Sequence, residues 1–518
     1  MSILSVDGKY TTLLYLRIRP YTLKALYQRM FMLGKVISSS TEKVLFRIDE
    51  GEDFENVKVG DLIIIESKYS YLARINELQA RHLGESVLPD KIAALSYPDV
   101  IENVEGLYGP QFYYTATASL LGIVDKTRIK GAKSLPKYLS PVRRVTEKDL
   151  QFLYTTENCI SIGKIRDMDI PISLDITTFV TKHAGVFGKT GSGKSNCVKI
   201  ILREVAAKNI ATVVFDVHSE YGYHPQGLGG LKNVYVVGLK GAECDVSLHI
   251  PRTLIYPSVL SMITEVTSAQ RDALDIIYHS HKDWLTYISE TSLDEIYEDF
   301  NQRIHMETIS ALKRKVFRII QYDFLGKQFD ALKYIMGKIS QGDIVIIDFG
   351  DYANNDQVIR LITDIVSQYL LNQFRKASRK NSSLPHTLIV LEEAHKLLNK
   401  EIAKKTIFEK IVREGRKFNL GLCVVDQMPK KILDEVISQL NTVIIMLLTN
   451  IKDREHLINS SENDLTALKE EMRMLDIGEA IVTGIAVPVP IPATVDLFSR
   501  KDIKTTQSED GFKEFDWN

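Results

Sequence analysis

Residues Gly188-Lys189-Thr190-Gly191-Ser192-Gly193-Lys194-Ser195 spell an unbroken G-x-x-x-x-G-K-[ST] motif, which constrains the fold more than any other stretch. A loop of this kind holds phosphate when a buried strand enters it and a helix leaves it. Both are legible here. Ala184-Gly185-Val186-Phe187 reads as the end of a short buried strand. From Asn196 to Lys208, apolar Val198, Ile201, Leu202 and Val205 recur at helical spacing. A chance glycine turn does not account for strand, loop and helix in that order. The glycines let backbone N–H groups close round a β-phosphate at the positive end of the helix. Gly188, Thr190, Gly191, Ser192, Gly193, Lys194, Ser195 and Asn196 are therefore expected against the phosphates of ATP or GTP. Lys194 should bridge the β- and γ-phosphates, and the Ser195 hydroxyl should ligate Mg²⁺.

With 518 residues the chain exceeds one ordinary core, so two or three domains are expected. A formal charge of −1 leaves any nucleic-acid contact to local basic patches. Cys159, Cys197, Cys244 and Cys423 stand singly, which argues against a zinc ribbon or disulfide framework and fits a reducing cytoplasm. The first residues lack a signal pattern, and no apolar run approaches the roughly 20 residues of a membrane span. The expectation is a cytoplasmic protein with no membrane partner.

Up to about residue 145 the chain reads as short strands between turns, among them 33–38, 44–48, 57–66, 71–75 and 120–124, which suggests a small β-barrel used for assembly or docking. Lys126, Arg128, Lys130, Lys133, Lys137, Arg143 and Arg144 then accumulate around Pro136 and Pro141. This stretch reads as a solvated linker, or else as a contact for a phosphate backbone. A nucleotide domain is expected over 146–499, with a tail over 500–518. Residues 160–163 and 170–175 look like strands covering the nucleotide site. Residues 251–340 read as a helical insertion. Strands at 211–216, 343–350, 387–395, 420–427 and 442–447 alternate with helices, the pattern of a mainly parallel, doubly wound sheet. Asp216 and Glu220 fall at a strand's carboxyl end, where ligands bind in such sheets, although Asp216 could equally cap a turn.

Hydrolysis of a γ-phosphate needs a held metal ion and a group that orients the attacking water. The strand ending Leu391-Glu392-Glu393 offers both, with Glu392 for Mg²⁺ and Glu393 for the water; the strand ending in Asp348 offers one acid. Gln427, at the end of the next strand, is placed to sense the γ-phosphate or simply to close the strand end. Arg413 and Arg416, three residues apart at a helix end, could stabilise transferred phosphoryl charge from a neighbouring subunit.

Taken together, Gly188–Ser195, Asp216–Tyr221, Leu391-Glu392-Glu393-Ala394-His395, Arg413–Phe418 and Asp426-Gln427-Met428-Pro429 resemble, in this order, the motifs of the HerA–FtsK superfamily. The N-terminal part, with Gly34 and the Val59-Gly60-Asp61 turn, is similar to the HAS-barrel of HerA. The element Asp216-Val217-His218-Ser219-Glu220-Tyr221 lacks the family's usual proline, and Glu392-Glu393 replaces the more usual Asp-Glu pair. The resemblance implies a RecA-like α/β motor behind a small barrel: a homo-hexameric, ATP-driven DNA translocase or helicase. It also implies a docked nuclease or sirtuin-like effector, in DNA end processing or phage defence. The competing expectation is a regulatory ring that assembles an effector without extensive movement on DNA. A monomeric signalling NTPase gives Arg413 and Arg416 no purpose.

Overall fold

The computed structural model describes residues 32–49, 54–82, 112–125, 128–153, 158–326, 330–403, 406–462 and 464–500. They belong to two compact units, residues 1–150 and residues 151–518. Lys126 and the tail beyond Arg500 lie outside the described residues.

The first unit contains β1 (Met32–Ser39), β2 (Val44–Ile48), β3 (Leu62–Glu66), β4 (Ser70–His82), β5 (Phe112–Asp125), β6 (Arg128–Lys130) and β7 (Pro141–Arg144). These pair in the order β2-β1-β7-β3-β4-β5-β6, and β2 also pairs with β5. Six strands thus close into a barrel, with β6 added outside the ring, and closure leaves no long edge among the described strands. Val36, Val44, Phe46, Ile63, Ile65, Tyr71, Ala73, Ile75, Ala116, Ala118 and Val142 fill its core. The basic stretch is no free linker. Pro141–Arg144 is the barrel strand between β1 and β3, and Arg143 ion-pairs with both Glu66 and Asp149 at 2.7 Å. Sequence composition favoured a loop because its cations and prolines outnumber its apolar residues; the structure consumes one cation internally and places Pro141 at a strand start, where its missing N–H is tolerated.

The second unit is built on one sheet of twelve strands among the described residues, in the order β13-β12-β14-β11-β15-β16-β10-β17-β18-β19-β8-β9. The eight at one side are parallel: β13 (Val246–Ser247), β12 (Val234–Gly238), β14 (Ile344–Asp348), β11 (Ala211–Asp216), β15 (Thr387–Leu391), β16 (Leu420–Asp426), β10 (Ala184–Phe187) and β17 (Thr442–Met446). β18 (Glu479–Gly484), β19 (Ile491–Val495), β8 (Cys159–Ile165) and β9 (Pro171–Asp175) continue it antiparallel. The sequence placed residues 160–163 and 170–175 over the nucleotide site. They extend the antiparallel edge instead, because β19 supplies an open edge that β8 completes.

Every residue of β10, β11, β14, β15 and β16 is buried, as parallel strands covered on both faces require. The helices of 268–280, 284–290, 293–299, 306–320 and 331–341 pack onto this sheet rather than forming a core of their own. Ile277, Trp284, Leu312 and Val316 share one apolar cluster with Val213, Val345 and Ile347 of β11 and β14. The long helix Asp356–Arg379 buries Val358, Leu361, Ile362, Ile365, Val366 and Leu370 against the sheet. Gly421 of β16 is required by a close approach: a Cβ there would lie 1.5 Å from the Val180 carbonyl oxygen.

His183 joins three parts of this unit just before β10. Its Nε2 lies 3.0 Å from the Val412 carbonyl, its Nδ1 accepts the Leu422 N–H at 3.0 Å, and its own carbonyl accepts the Asn441 N–H at 3.1 Å. The ring is therefore neutral, with the proton on Nε2. Burial chiefly lowers its pKa, to about 4, against the Val412 hydrogen bond, which raises it. An unfolded histidine titrates near 6.5, so between pH 6.5 and 4 the unfolded chain binds the extra proton and the folded one does not. The stability that neutral His183 contributes is full above pH 6.5 and lost as pH falls toward 4. About 3 kcal/mol should disappear across that window. Urea unfolding of the wild type at pH 7 and 4.5 should show the midpoint dropping, and His183→Phe should drop less over the same interval.

Candidate active site

Four parallel strands aim their carboxyl ends at one place. Phe187 of β10 stands opposite Asp426 of β16, Leu391 of β15 opposite Val424, and Phe215 of β11 opposite Leu391. The phosphate loop leaves β10 and is fastened at its root, where Gly188 N–H reaches Asp426 O at 3.3 Å and Lys189 N–H reaches Leu447 O at 2.8 Å. Gly191 and Gly193 adopt φ of 78° and 104°, a left-handed backbone that a side chain would strain. The helix Lys194–Ala207 then begins with Gly193 as its cap and no side chain spent on its first N–H groups. Those groups stay available for an anion.

A pocket of about 580 Å³ opens here, lined by Thr190, Gly191, Gly193, Lys194, Ser195, Asn196, His218, Glu220, Glu392, Glu393, Val425 and Gln427. The structure therefore gathers most of the residues singled out by sequence. Gly188 and Ser192 support the loop from behind: a Cβ on Gly188 would come within 2.6 Å of Ser192 Oγ. Lys194 Nζ donates to Lys189 O at 3.1 Å. Burial lowers the lysine's pKa, opposed by the charges of Glu393 and Asp426.

The adjacent acids differ in state. Glu392 is buried, and its Oε2 has no hydrogen-bond partner. Burial, reinforced by the charge of Asp216, pushes its pKa up to about 8. An unsatisfied buried carboxylate oxygen facing neighbouring acids, beside the Ser195 hydroxyl, fits a divalent cation such as Mg²⁺. Glu393 has a left-handed backbone, φ 47°, that turns its side chain out of the strand line. Burial raises its pKa, but the hydrogen bond from His218 and the charge of His395 outweigh that, so it lies below the ordinary glutamate value.

Glu393 is gripped from three sides. His218 Nε2 lies 3.5 Å from Oε1, His395 Nδ1 lies 3.3 Å from Oε2, and Gln427 Nε2 reaches Oε2 at 3.3 Å. Gln427 Oε1 in turn accepts from the Thr190 hydroxyl of the phosphate loop. His395 is oriented by buried Asp426, at 3.0 Å from Nδ1. His218 and His395 stand within the sequence motifs, which assign neither a role. Their position two or three residues past a strand-end acid was the available signal.

Asp216 caps a turn. It accepts the N–H groups of Glu220, Tyr221 and Gly222 at 3.0, 2.8 and 3.2 Å and does not line the pocket. Burial pushes its pKa up to about 6. The capped turn carries His218 and Glu220 to the pocket wall, and Tyr221 beneath them sends its hydroxyl toward Glu392 at 3.5 Å. Asp348 accepts the Ser219 hydroxyl at 2.6 Å and braces the same turn. Arg413 and Arg416 do not reach this pocket. Arg413 pairs with Glu409 at 2.9 Å, and Arg416 donates to Gln439 Oε1 at 2.6 Å; both are exposed.

A family model described as the central domain of the helicase HerA matches residues 160–374. Over 484 residues the chain is 25% identical to a protein of Saccharolobus solfataricus named DNA double-strand break repair helicase HerA, spanning 91% of this chain and 93% of that one. A protein of the same name from Sulfolobus acidocaldarius is 25% identical over 488 residues, spanning 90% and 94%. The solved VirB4 of Thermoanaerobacter pseudethanolicus aligns at 16% identity and a TM-score of 0.49, spanning 68% of this chain and 99% of that one. Over most of its length the chain is similar to HerA helicases, and it is an ATP hydrolase of the P-loop type.

If His218 keeps the Glu393 carboxylate aimed into the pocket, His218→Ala should lower kcat for ATP about 10- to 100-fold and leave KM within a few-fold, since no phosphate contact is removed. His218→Asn or Gln should restore part of the loss. Steady-state ATPase kinetics on the three proteins checks this; a rise in KM at unchanged kcat would refute it.

Proposed function

We propose that the chain is an ATP-driven DNA translocase or helicase working as a homo-hexameric ring. The observation that carries the reading is a hydrolytic pocket with an oriented acid but, among the described lining residues, no arginine, together with two exposed arginines on the same chain that pair with Glu409 and Gln439 outside it. Placed at a neighbour's γ-phosphate, Arg413 and Arg416 complete the set of charges that phosphoryl transfer needs. DNA as the substrate is supported by the relatives, whose names describe double-strand break repair helicases.

In this reading the loop 188–196 holds the triphosphate, and Lys194 neutralises its β- and γ-oxygens. Ser195 and Glu392 would hold Mg²⁺, which when bound offsets phosphate charge. Glu393 accepts a hydrogen bond from the attacking water and takes its proton, while His218 and His395 hold the carboxylate in place. Gln427 lies between Glu393 and Thr190, so it can report the state of the γ-phosphate to the loop.

The reading extends to a nuclease or sirtuin-like effector docked on the ring, acting in DNA end processing or phage defence in the cytoplasm. The closed barrel, with a core of its own, supports docking. The same feature favours the second reading, a ring that controls an effector without extensive translocation. No helix among the described residues is long and apolar enough to cross a membrane.

ATP turnover should rise on adding duplex DNA and fall to background in Lys194→Ala. Glu393→Gln should cut it at least about 100-fold while ATP still binds. Arg416→Ala and Lys194→Ala should each be inactive alone and regain part of the activity when mixed, because the arginine-deficient subunit keeps an intact loop. Turnover indifferent to DNA but responsive to a partner protein would favour the control ring. A fully active species of monomer mass would sink both.

A further inference from the structure

The two most exposed large apolar side chains among the described residues are Leu497, at 86%, and Ile477, at 75%. Single exposed apolar residues are ordinary. These two, however, are both held by backbone tied to the phosphate-loop region. Gly478, next to Ile477, donates its N–H to Ser192 O at 3.1 Å, and Val495 N–H reaches Gly478 O at 2.8 Å. On either side of Leu497, Asp496 O accepts from Asn196 Nδ2 at 2.7 Å and Phe498 N–H donates to Asn196 Oδ1 at 2.8 Å. Arg500 fixes the end of that segment by donating to Gly229 O at 2.6 Å.

The pocket has a direction. Its γ-phosphate end is set by Lys194, Glu393 and Gln427, so a nucleotide's phosphates run back along the helix start and its sugar and base leave past Asn196. We propose that Ile477 and Leu497 are the apolar platform for the base of the bound nucleotide. The proposal rests on the nucleotide-site reading above and names the part of the ligand that the loop cannot hold. The Asn196 amide spends one donor and one acceptor on the backbone either side of Leu497, which fixes that segment beside the phosphate loop. Selection here works by area: a two-ring purine covers more of the platform than a one-ring pyrimidine, and adenine and guanine cover it alike.

The test uses the full chain and its basal hydrolysis without DNA, so failure of the translocation reading would leave the result untouched. Both side chains lie mostly in water, and replacing them with serine removes little packing. In Leu497→Ser/Ile477→Ser the KM for ATP should rise about 10-fold, about 1.4 kcal/mol, with kcat within about twofold. The preference for ATP over UTP should narrow, and the ratio of ATP to GTP should stay as it was. Inorganic tripolyphosphate, which has no base, should inhibit wild type and variant equally. An unchanged KM overturns the proposal. So does tripolyphosphate inhibition that weakens in step with ATP, which would mean a disturbed loop. A fall in ring mass with KM unchanged assigns the pair to a neighbouring subunit and overturns it as well. Turnover surviving Lys194→Ala would overturn the site reading itself, and the platform with it.

Discussion

Crowded negative charge at one end of a parallel sheet is the constraint on which this site depends. Glu220, Glu392 and Glu393 share the pocket wall with one lysine, and Asp216 lies buried behind them. Carboxylates so close cannot all ionise freely. The structure divides them by environment. Glu392 is buried and pushed toward its neutral form, Glu393 is surrounded by donors and held charged, and Asp216 is given three backbone N–H groups. Two neighbouring glutamates thereby acquire different chemistry, one suited to a cation and one to a proton.

The supporting architecture keeps those environments distinct. β10 is only four residues long, yet it is paired on both sides, to β16 and β17, so the loop it launches has a fixed root. The left-handed backbone at Glu393 costs on the order of 1–2 kcal/mol and persists because the carboxylate's partners come from three separate elements. Gln427 connects that acid to Thr190 in the loop, so the loop and Glu393 are held in one hydrogen-bonded set.

Much of this was legible in the sequence because it is local. The phosphate loop, the all-apolar strands and the acids at their ends are each contained within a dozen residues, and the parallel sheet follows from their alternation with helices. What escaped depends on partners distant in the chain. Asp216 could be a ligand or a cap until its turn closed around it. His218 and Glu393 are far apart in sequence and meet only when β11 and β15 lie side by side. The place of β8 and β9 at the antiparallel edge depends on β19, more than 300 residues later in the chain. Arg143 looked like a free cation because Glu66, which neutralises it, sits on another strand of the barrel.

The neutral imidazole of His183 has a consequence for a ring. It receives a bond from Leu422 in the strand that ends at Asp426, contacts the carbonyl of the residue just before Arg413, and directly precedes the strand that launches the phosphate loop. If those arginines serve the adjoining subunit's nucleotide, as proposed, one side chain ties what a subunit lends to what it consumes. A shift of the arginine helix on hydrolysis next door would then be felt at the root of the local loop without any change in the nucleotide held there. Order of firing around the circle would be a property of this internal strut as much as of the contacts between subunits.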